Sequence, residues 1–340
     1  MVTDHPSRRQ VLLATGTAAM AAGLGPLIPA GRAAAAATDG RRPAFGPLRQ
    51  IDTGVLNTGY VELGPASGAP VILMHGFPYD IHSYTQVAPL LAARGYRVIV
   101  PYFRGHGTTT FRSASTPRDA DQAAFALDIL GLMDALKIRR AVLAGYDWGS
   151  RTGDIIAALW PERVKALVSV TGYLITNLAF NRNPQLPSAE NAWWYQYYFA
   201  TERGVRGLQE YAYEIGEFIW KFNSPTWKYS RAEYDRTAAA FTNPDYVPIV
   251  IGNYRWRQSL LPVEPQYAEL ESRLQAAPNI TVPTITIDGR YDPFTPAGDG
   301  SSYRAHFTGK YRHRTFDVGH NVPQEAPREF AQAVIDADRL

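Results

Sequence analysis

Short apolar runs alternate with helical patterns along most of the chain after residue 69. Each run is continuous and is bounded by Gly or Pro, which is typical of strands buried on both faces. The runs lie at 71–74, 97–101, 141–145, 166–171 and 284–287. The helical patterns lie at 85–94, 120–136 and 149–159. This alternation predicts an α/β fold, with a mostly parallel sheet and helices on both of its faces.

The alternation stops between about 173 and 270, where aromatic residues are concentrated. Because the strand pattern resumes at 284, this segment is an insertion and not a terminal domain. We predict a helical cap over the edge where the strands end, since open α/β sheets bind ligands there. A peripheral bundle with an ordinary aromatic core is the alternative. The predicted core therefore comprises 38–172 and 271–340, and the cap comprises 173–270.

The N-terminus has the pattern of an export signal. Arg8 and Arg9 precede an apolar run to about residue 30, and a small-residue tract at 33–37 follows. This resembles a twin-arginine signal with a cleavage site near residue 37, and implies an exported protein, periplasmic or extracellular, that meets the export machinery. A membrane anchor or a disordered tail is the alternative. Pro26 and Pro29 interrupt the run, so we expect no stable membrane anchor.

Charge and composition exclude several classes of function. The 340 residues carry a formal charge of +3, and removing 1–37 would leave it near +1, with no basic run to bind nucleic acid. The absence of cysteine excludes disulfides, thiolate metal sites and cysteine catalysis. At 46% hydrophobic content, the chain can bury a large core.

The sequence Gly-Tyr-Asp-Trp-Gly at 145–149 fits a nucleophile elbow, a tight turn between a strand and a helix. Flanking glycines let the backbone fold sharply and expose the central side chain, which here is Asp147. Ser150 lies in the first turn of the predicted helix, and we expect it to make a local hydrogen bond there. Asp147 is therefore the predicted nucleophile.

Two further side chains follow later strands in the order expected of a catalytic triad. Asp292 follows the run at 284–287, and His320 follows a strand-like stretch at 314–318. Taken alone, Asp292 could be a turn residue and His320 a surface residue. The order nucleophile, acid, histidine is that of α/β-hydrolases.

An oxyanion hole is predicted from the His-Gly-Phe-Pro sequence at 75–78, which ends an early strand. The backbone N–H groups of Phe77 and Trp148 would converge on developing negative charge.

Together these motifs resemble the α/β-hydrolases of the epoxide hydrolase and haloalkane dehalogenase group. The resemblance runs from about residue 54 to the C-terminus and includes Trp-Pro-Glu-Arg-Val at 160–164. One position departs from it, because Tyr102 stands where such enzymes often have Asp. The resemblance implies an α/β-hydrolase fold with an inserted helical cap.

A carboxylate nucleophile suits attack on saturated carbon. Serine would form an ether there, which water does not readily cleave, whereas Asp147 would form an ester. His320, oriented by Asp292, can then activate a water to hydrolyse that ester. We expect a small apolar substrate, and the chemistry requires no metal or organic cofactor.

The leaving group separates the two activities of this group. An epoxide leaves as an alkoxide and needs an acid, for which epoxide hydrolases use two lid tyrosines; Tyr195 and Tyr254 match their segments. A phenol stays protonated at neutral pH. These two tyrosines are thus the predicted acids, in a pocket lined by His75, Pro78, Trp148, Trp194 and Phe199.

Dehalogenation is the alternative reaction. Haloalkane dehalogenases use the tryptophan beside the nucleophile, here Trp148, plus an Asn where this chain has Phe77, or a second lid Trp. Fluoroacetate dehalogenases, which act on a haloacid, have arginines one and four residues after the nucleophile, and Arg151 matches only the second. A surface or interdomain salt bridge is the structural alternative for Arg151. A non-catalytic binding protein of the same fold is a minor alternative.

Overall fold

The apolar runs form the centre of one mixed sheet. In the computed structural model, which describes residues 45–295 and 297–340, the strand order is β1-β2-β4-β3-β6-β7-β8-β9, with β5 paired to β2. Strand β2 pairs antiparallel with β1, β4 and β5, and all the other strand pairs are parallel. The strands are β1 (Leu48–Asp52), β2 (Leu56–Leu63), β3 (Pro70–Met74), β4 (Arg97–Pro101), β5 (Thr110–Phe111), β6 (Ala141–Gly145), β7 (Val164–Val170), β8 (Thr284–Gly289) and β9 (Tyr311–Phe316).

Helices cover both faces of this sheet and fill the segment between β7 and β8. The α-helices are α1 (Val87–Ala92), α2 (Gln122–Ala135), α3 (Trp148–Leu159), α4 (Leu178–Asn181), α5 (Pro187–Ala192), α6 (Trp194–Ala200), α7 (Glu202–Asn223), α8 (Arg231–Ala238), α9 (Tyr246–Arg257), α10 (Ala268–Gln275), α11 (Ser301–Arg304), α12 (Val322–Glu325) and α13 (Pro327–Asp338). Short 3-10 helices occur at Ile81–Tyr84, Pro161–Arg163, Ala239–Thr242 and Pro265–Tyr267. Helices α1 and α13 pack together, as do α2 and α3.

The register of β3 and β6 brings together the two loops that carry predicted site residues. Val71 pairs with Val142 and Met74 with Gly145, so both strands end at the same level. Both strands are almost completely buried, because helices lie above and below them. The loops that follow them, which carry Phe77 and Asp147, are therefore neighbours.

The predicted cap is an insertion of helices α4 to α9, and α6 packs on both α7 and α9. Its predicted end at residue 270 falls inside α10, which packs on α2 of the core. There the Glu271 carboxylate accepts hydrogen bonds from the Ala123 N–H at 2.9 Å and from Gln122 Nε2 at 3.0 Å. Helix α10 thus joins the two predicted segments.

The predicted export signal at 1–37 lies outside the described residues and stays a prediction. Within the described part of the chain, no helix is both long enough and apolar enough to cross a membrane.

Candidate active site

Asp147 lies on a sharp turn between β6 and α3, with a backbone φ of 52°. A β-carbon on Gly149 would lie 2.0 Å from the Met74 carbonyl oxygen, and one on Gly145 would lie 2.4 Å from the Gly149 carbonyl carbon. Only glycine fits at either position, which explains the spacing of the motif. The turn leaves the Asp147 side chain 15% exposed at the end of the sheet.

Ser150 makes the local hydrogen bond that the sequence predicts. Its buried hydroxyl donates to the Gly145 carbonyl oxygen at 2.8 Å. The serine therefore stabilises the turn through this hydrogen bond, and Asp147 is the side chain that the turn exposes.

The predicted oxyanion loop contacts Asp147 directly. The Phe77 N–H donates to Asp147 Oδ1 at 2.7 Å. This close approach depends on Gly76, where a β-carbon would lie 2.5 Å from Asp147 Cβ. Trp148 is the first residue of α3, a position at which the N–H has no partner within the helix. Two backbone donors are thus available beside the Asp147 carboxyl group.

The structure brings His320 between the two carboxylates. His320 Nδ1 lies 2.7 Å from Asp292 Oδ2, and Nε2 lies 3.7 Å from Asp147 Oδ2. The other oxygen of Asp292 accepts a hydrogen bond from the Phe294 N–H at 2.8 Å. The three predicted triad residues, which come from three different loops, therefore form one arrangement.

The two carboxylates set the charge of His320. Burial lowers its pKa, but the charge of Asp292 and the interaction with Asp147 outweigh burial and raise the pKa to about 10. Burial raises the pKa of Asp147, but His320 lowers it to below its ordinary value. At neutral pH the site therefore holds an Asp147 carboxylate facing a His320 imidazolium.

Tyr195 and Tyr254, from α6 and α9, come together above the oxyanion loop. Their ring centroids are 5.2 Å apart, and they lie 5.9 Å and 5.3 Å from the Phe77 ring. Burial, and then nearby charges that include Asp147, raise the pKa of both phenols above the ordinary value. Among the described residues, the buried Tyr254 hydroxyl has no hydrogen-bond partner. Both phenols are therefore protonated at neutral pH, and both rings contact Phe77, whose N–H donates to Asp147.

A family model for the alpha/beta hydrolase fold matches residues 69–327. The chain belongs to the α/β-hydrolase family. It lies in the group that contains epoxide hydrolases and haloalkane dehalogenases.

Three proteins show the similarity of this hydrolase to that group. A putative epoxide hydrolase from Klebsiella pneumoniae is 57% identical with a TM-score of 0.86, over 88% of this chain and 100% of that chain. Epoxide hydrolase 3 of Siraitia grosvenorii is 33% identical over 42% of this chain and 44% of the relative. A haloalkane dehalogenase of Mycobacterium marinum is 35% identical over 37% of this chain and 41% of the relative. In both curated relatives the match spans less than half of their length.

The four other predicted pocket residues of the hydrolase do not all lie equally close to Phe77. Trp148 stacks on Phe77 with centroids 5.6 Å apart, and Phe199 meets Phe77 edge-on at 6.1 Å. The Pro78 carbonyl oxygen accepts a hydrogen bond from Trp220 Nε1 at 2.8 Å, which ties the oxyanion loop to the cap. Trp194 lies further out, since its ring contacts Tyr195, Tyr198 and Phe218.

His75, a predicted pocket residue, is completely buried. Its Nδ1–H donates to the Gly76 carbonyl oxygen at 3.0 Å, and its Nε2 accepts from the Phe103 N–H at 3.2 Å. Burial and the neighbouring His106 lower the pKa of His75 well below its ordinary value, so the ring is neutral. With both nitrogens bonded to backbone groups, His75 supports the oxyanion loop and offers a substrate no polar atom.

Sequence reasoning missed two polar residues of the hydrolase beside His320. The Tyr79 ring lies 6.4 Å from the His320 ring, and the His320 N–H donates to the Asn223 carbonyl oxygen at 3.0 Å. The Tyr79 hydroxyl and Asn223 Oδ1 are buried, and neither has a hydrogen-bond partner among the described residues. Tyr79 directly follows the His-Gly-Phe-Pro sequence, which is the one signal that could have indicated it. Asn223 is the last residue of α7, and no sequence motif surrounds it that could have indicated it.

Two residues that the resemblance singled out are buried in the hydrolase. The Tyr102 N–H donates to the Gly59 carbonyl oxygen at 2.8 Å, so Tyr102 has a structural place in the core. Arg151 is 6% exposed and its Nε donates to the Leu174 carbonyl oxygen at 3.1 Å. Among the described residues, no carboxylate lies within ion-pair distance of Arg151. Within the described chain, no cluster of three His, Asp or Glu side chains could hold a metal ion.

Proposed function

We propose that this hydrolase opens an epoxide to a diol through a covalent ester on Asp147. One observation carries the proposal: the Asp147 carboxylate, at the elbow, faces His320 while two buried tyrosines lie above the adjoining loop. The Klebsiella pneumoniae and Siraitia grosvenorii relatives, which are named as epoxide hydrolases, support it.

In the first step, Asp147 attacks a carbon of the epoxide ring. The Phe77 N–H holds Oδ1, so Oδ2 is the oxygen available for attack. As the carbon–oxygen bond breaks, the leaving alkoxide takes a proton from Tyr195 or Tyr254. The ester and a tyrosinate result, and one positioned donor of this kind is worth about 10²–10³ in rate.

Formation of the ester changes His320 from an acid to a base. Once Asp147 is esterified it carries no charge, so one of the two groups that raise the pKa of His320 is lost. The imidazolium proton then neutralises the tyrosinate. Neutral His320 can next accept a proton from water, and this sequence returns every proton to its starting group.

The second step is attack of that water on the carbonyl carbon of the ester. The backbone N–H groups of Phe77 and Trp148 would stabilise the oxyanion. Tyr79, whose ring lies 6.4 Å from the His320 ring, would help to orient the water through its buried hydroxyl. Collapse of the intermediate releases the diol and restores the Asp147 carboxylate.

Turnover of styrene oxide in H₂¹⁸O tests the ester. We expect ¹⁸O in the Asp147 peptide after repeated turnover, because water enters through the carboxyl group. Asp147→Asn should start inactive, whereas the matched elbow variant Ser150→Ala should retain most activity. Label in the product of the first turnover, with Asp147 never labelled, would contradict the ester route.

Halide displacement by the same nucleophile is the second candidate. The buried Trp148 Nε1–H has no partner among the described residues and could donate to a leaving halide. The similarity to the Mycobacterium marinum haloalkane dehalogenase also supports it.

The Tyr254→Phe variant distinguishes the two reactions. It should slow epoxide opening by about 10²–10³, because only the alkoxide requires a proton. Displacement of bromide from a 1-bromoalkane should change far less. Equal losses in kcat for both substrates would mean that Tyr254 acts through packing, and would remove its role as an acid.

A further inference from the structure

The three consecutive peptide N–H groups around His320 all have hydrogen-bond acceptors. The Gly319 N–H donates to Glu325 Oε2 at 2.9 Å, and the Asn321 N–H donates to Glu325 Oε1 at 3.1 Å. The His320 N–H between them donates to the Asn223 carbonyl oxygen at 3.0 Å. One carboxylate and the end of α7 therefore hold the peptide that carries the histidine, which we call the His320 segment (319–321).

Glu325 lies beside this segment because only a short helix, α12, separates them in the chain. Its own N–H donates to the Asn321 carbonyl oxygen at 3.0 Å, while its side chain turns back to accept the Asn321 N–H. The same carboxylate accepts a third hydrogen bond, from the Ser224 hydroxyl at 2.6 Å. Backbone and side chain of Glu325 thus both bind the His320 segment, and the side chain also binds the residue that follows α7.

Both oxygens of the Glu325 side chain act as acceptors. An ionised carboxyl group accepts at each oxygen, whereas a protonated one donates from one of them. Burial raises the pKa of Glu325, but the Ser224 hydroxyl and the two backbone N–H groups oppose that effect. Hydrogen bonds to a charged acceptor are about twice as strong as neutral ones. The carboxylate therefore holds the His320 segment more firmly than a neutral side chain could.

Close packing also restricts the His320 segment. A β-carbon on Gly319 would lie 2.6 Å from Ser224 Cα and 2.7 Å from the Asn223 carbonyl oxygen. Only glycine lets the segment approach the end of α7 this closely. The backbone of His320 is therefore held both by hydrogen bonds and by the packing of its neighbour.

The position of this backbone determines what the imidazole ring can reach. Nδ1 lies 2.7 Å from Asp292 Oδ2, and Nε2 lies 3.7 Å from Asp147 Oδ2. A general base must lie within hydrogen-bond reach of the proton that it removes, and a displacement of about 1 Å can lower a rate by about 10²-fold. Small movements of the His320 segment would therefore slow the step in which Nε2 takes a proton from water.

We propose that Glu325 is a positioning residue for the base of this hydrolase, holding the His320 segment so that Nε2 can reach the hydrolytic water. This inference rests on the proposed ester mechanism. Glu325 is not a catalytic residue, since it binds the peptide and not the imidazole ring. Formation of the ester uses the Asp147 carboxylate and the cap tyrosines, none of which is hydrogen-bonded to Glu325. Hydrolysis of the ester should therefore depend on Glu325 more than its formation does.

Glu325→Gln in the full chain tests this dependence with styrene oxide. The amide has one oxygen where the carboxylate has two, so one of the two backbone N–H groups loses its acceptor. Rapid-quench mass spectrometry should show that the Asp147 ester disappears more slowly by about tenfold or more, because a hydrogen bond to a charged group is lost beside the base. The rate of ester formation should change far less. Equal losses in both rates would overturn the proposal, since Glu325 would then act only through the stability of the fold.

Glu271→Gln is the matched control. Glu271 is also a buried carboxylate that accepts a backbone N–H, that of Ala123 at 2.9 Å, but it joins α10 to α2 and has no hydrogen bond to the His320 segment. The change should lower stability without altering the ratio of the two rates. A ratio altered as much as in Glu325→Gln would contradict a specific role for Glu325.

Ser224→Ala gives a second test that removes one hydrogen bond and little volume. It should slow ester hydrolysis by a smaller factor than Glu325→Gln, because both backbone N–H groups keep their acceptor. Thr237→Ala is its control, since the Thr237 hydroxyl also donates from the cap to a buried carboxylate, that of Asp80 at 2.8 Å. If Glu325→Gln does not fold, Ser224→Ala decides, and an unchanged rate of ester hydrolysis would then exclude the positioning role.

Proton NMR separates this proposal from the proposed function, because it needs no substrate. The Nδ1 proton between His320 and Asp292 should exchange with solvent faster by about tenfold or more in Glu325→Gln, since a loosened segment exposes it more often. Glu271→Gln should leave this exchange unchanged. If no epoxide is turned over but exchange is faster in Glu325→Gln alone, epoxide hydrolysis fails and the positioning role stands. Unchanged exchange in Glu325→Gln would overturn the positioning role, whether or not epoxides are hydrolysed.

Discussion

The charge of His320 depends on the chemical state of the residue opposite it. Its imidazolium lies between Asp292 and Asp147, and these carboxylates raise the pKa to about 10 against the effect of burial. A histidine held in this way cannot act as a base until one carboxylate loses its charge. Alkylation of Asp147 would remove that charge, so nucleophile and base would be activated in sequence.

Asp147→Asn should therefore lower the pKa of His320 below about 10. The amide removes a negative charge that stabilises the imidazolium, while the bond to Asp292 remains. NMR titration of the His320 ring measures the change, and Asp317→Asn, an exposed acid elsewhere, is the control. An unaltered pKa in Asp147→Asn would show that Asp292 alone sets the charge.

The raised pKa of His320 also predicts how stability changes with pH. A group whose pKa is higher in the folded than in the unfolded state stabilises the fold fully below its unfolded value, about 6.5 for histidine. That contribution is lost as pH rises through the folded value of about 10. The difference in the free energy of unfolding between wild type and His320→Gln should thus shrink between pH 7 and pH 10, as urea titrations would measure. A difference independent of pH would contradict the folded pKa.

Tyr79→Phe should slow hydrolysis of the ester more than its formation. The Tyr79 ring lies 6.4 Å from the His320 ring, and loss of its hydroxyl removes the group that would help to orient the water, so the expected decrease is about tenfold or more. Rapid-quench mass spectrometry should then show accumulated alkyl-enzyme. Tyr96→Phe, whose hydroxyl bonds to Asp338 far from the site, is the control. No accumulation in Tyr79→Phe would exclude a role for Tyr79 in this step.

At the scale of elements, the elbow depends on contact between two backbones. The first residues of α3 lie against the end of β3, and Gly149 makes this approach possible. The same contact places the Phe77 N–H within 2.7 Å of Asp147. The packing of α3 on β3 therefore also positions the Phe77 N–H of the predicted oxyanion hole.

Gly149→Ala should destabilise the protein by about 1–3 kcal/mol or more, since its β-carbon would overlap the Met74 carbonyl oxygen. It should also lower kcat, because the clash displaces the elbow. Gly298→Ala is the matched control, since its β-carbon would meet nothing closer than 3.8 Å. Thermal unfolding and steady-state kinetics measure both effects. A tolerated Gly149→Ala would mean that the two backbones can separate freely.

The elements that the sequence predicted well are those buried on both faces. The run at 141–145 coincides with β6, and the pattern at 120–136 contains α2. Strands β1 and β2 were not predicted, because β1 is largely exposed and β2 mixes buried with exposed positions. Burial on one side gives a weaker pattern than a continuous apolar run.

The site side chains were likewise predicted where a sequence motif is strong and missed where none exists. Asp147, Asp292 and His320 stand in motifs that fix their place at strand ends, so their meeting could be predicted. Tyr79 and Asn223 are far apart in sequence, and only packing of the cap on the core brings both beside His320. His75 stands in a motif as well, but its partners are backbone groups that no side-chain pattern reveals.

At the scale of the whole molecule, we propose that residues 1–37 direct export of the hydrolase. Replacing Arg8 and Arg9 together by Lys should retain the protein in the cytoplasm, because a twin-arginine signal depends on that pair. Immunoblots of cell fractions measure this, and Arg32→Lys, closer to the predicted cleavage site, is the control. Unchanged export of the double variant would contradict a twin-arginine route.

Hydrogen bonds link the cap to the loop that carries His320. At the C-terminal end of α7, the Asn223 carbonyl oxygen accepts the His320 N–H, and the Ser224 hydroxyl donates to Glu325 at 2.6 Å just beyond that histidine. A cap that swung away to admit substrate or release the diol would pull on the loop that carries the base. Cap opening and ester hydrolysis would then exclude each other, and the Asp147 ester would be hydrolysed only while the cap is closed over it.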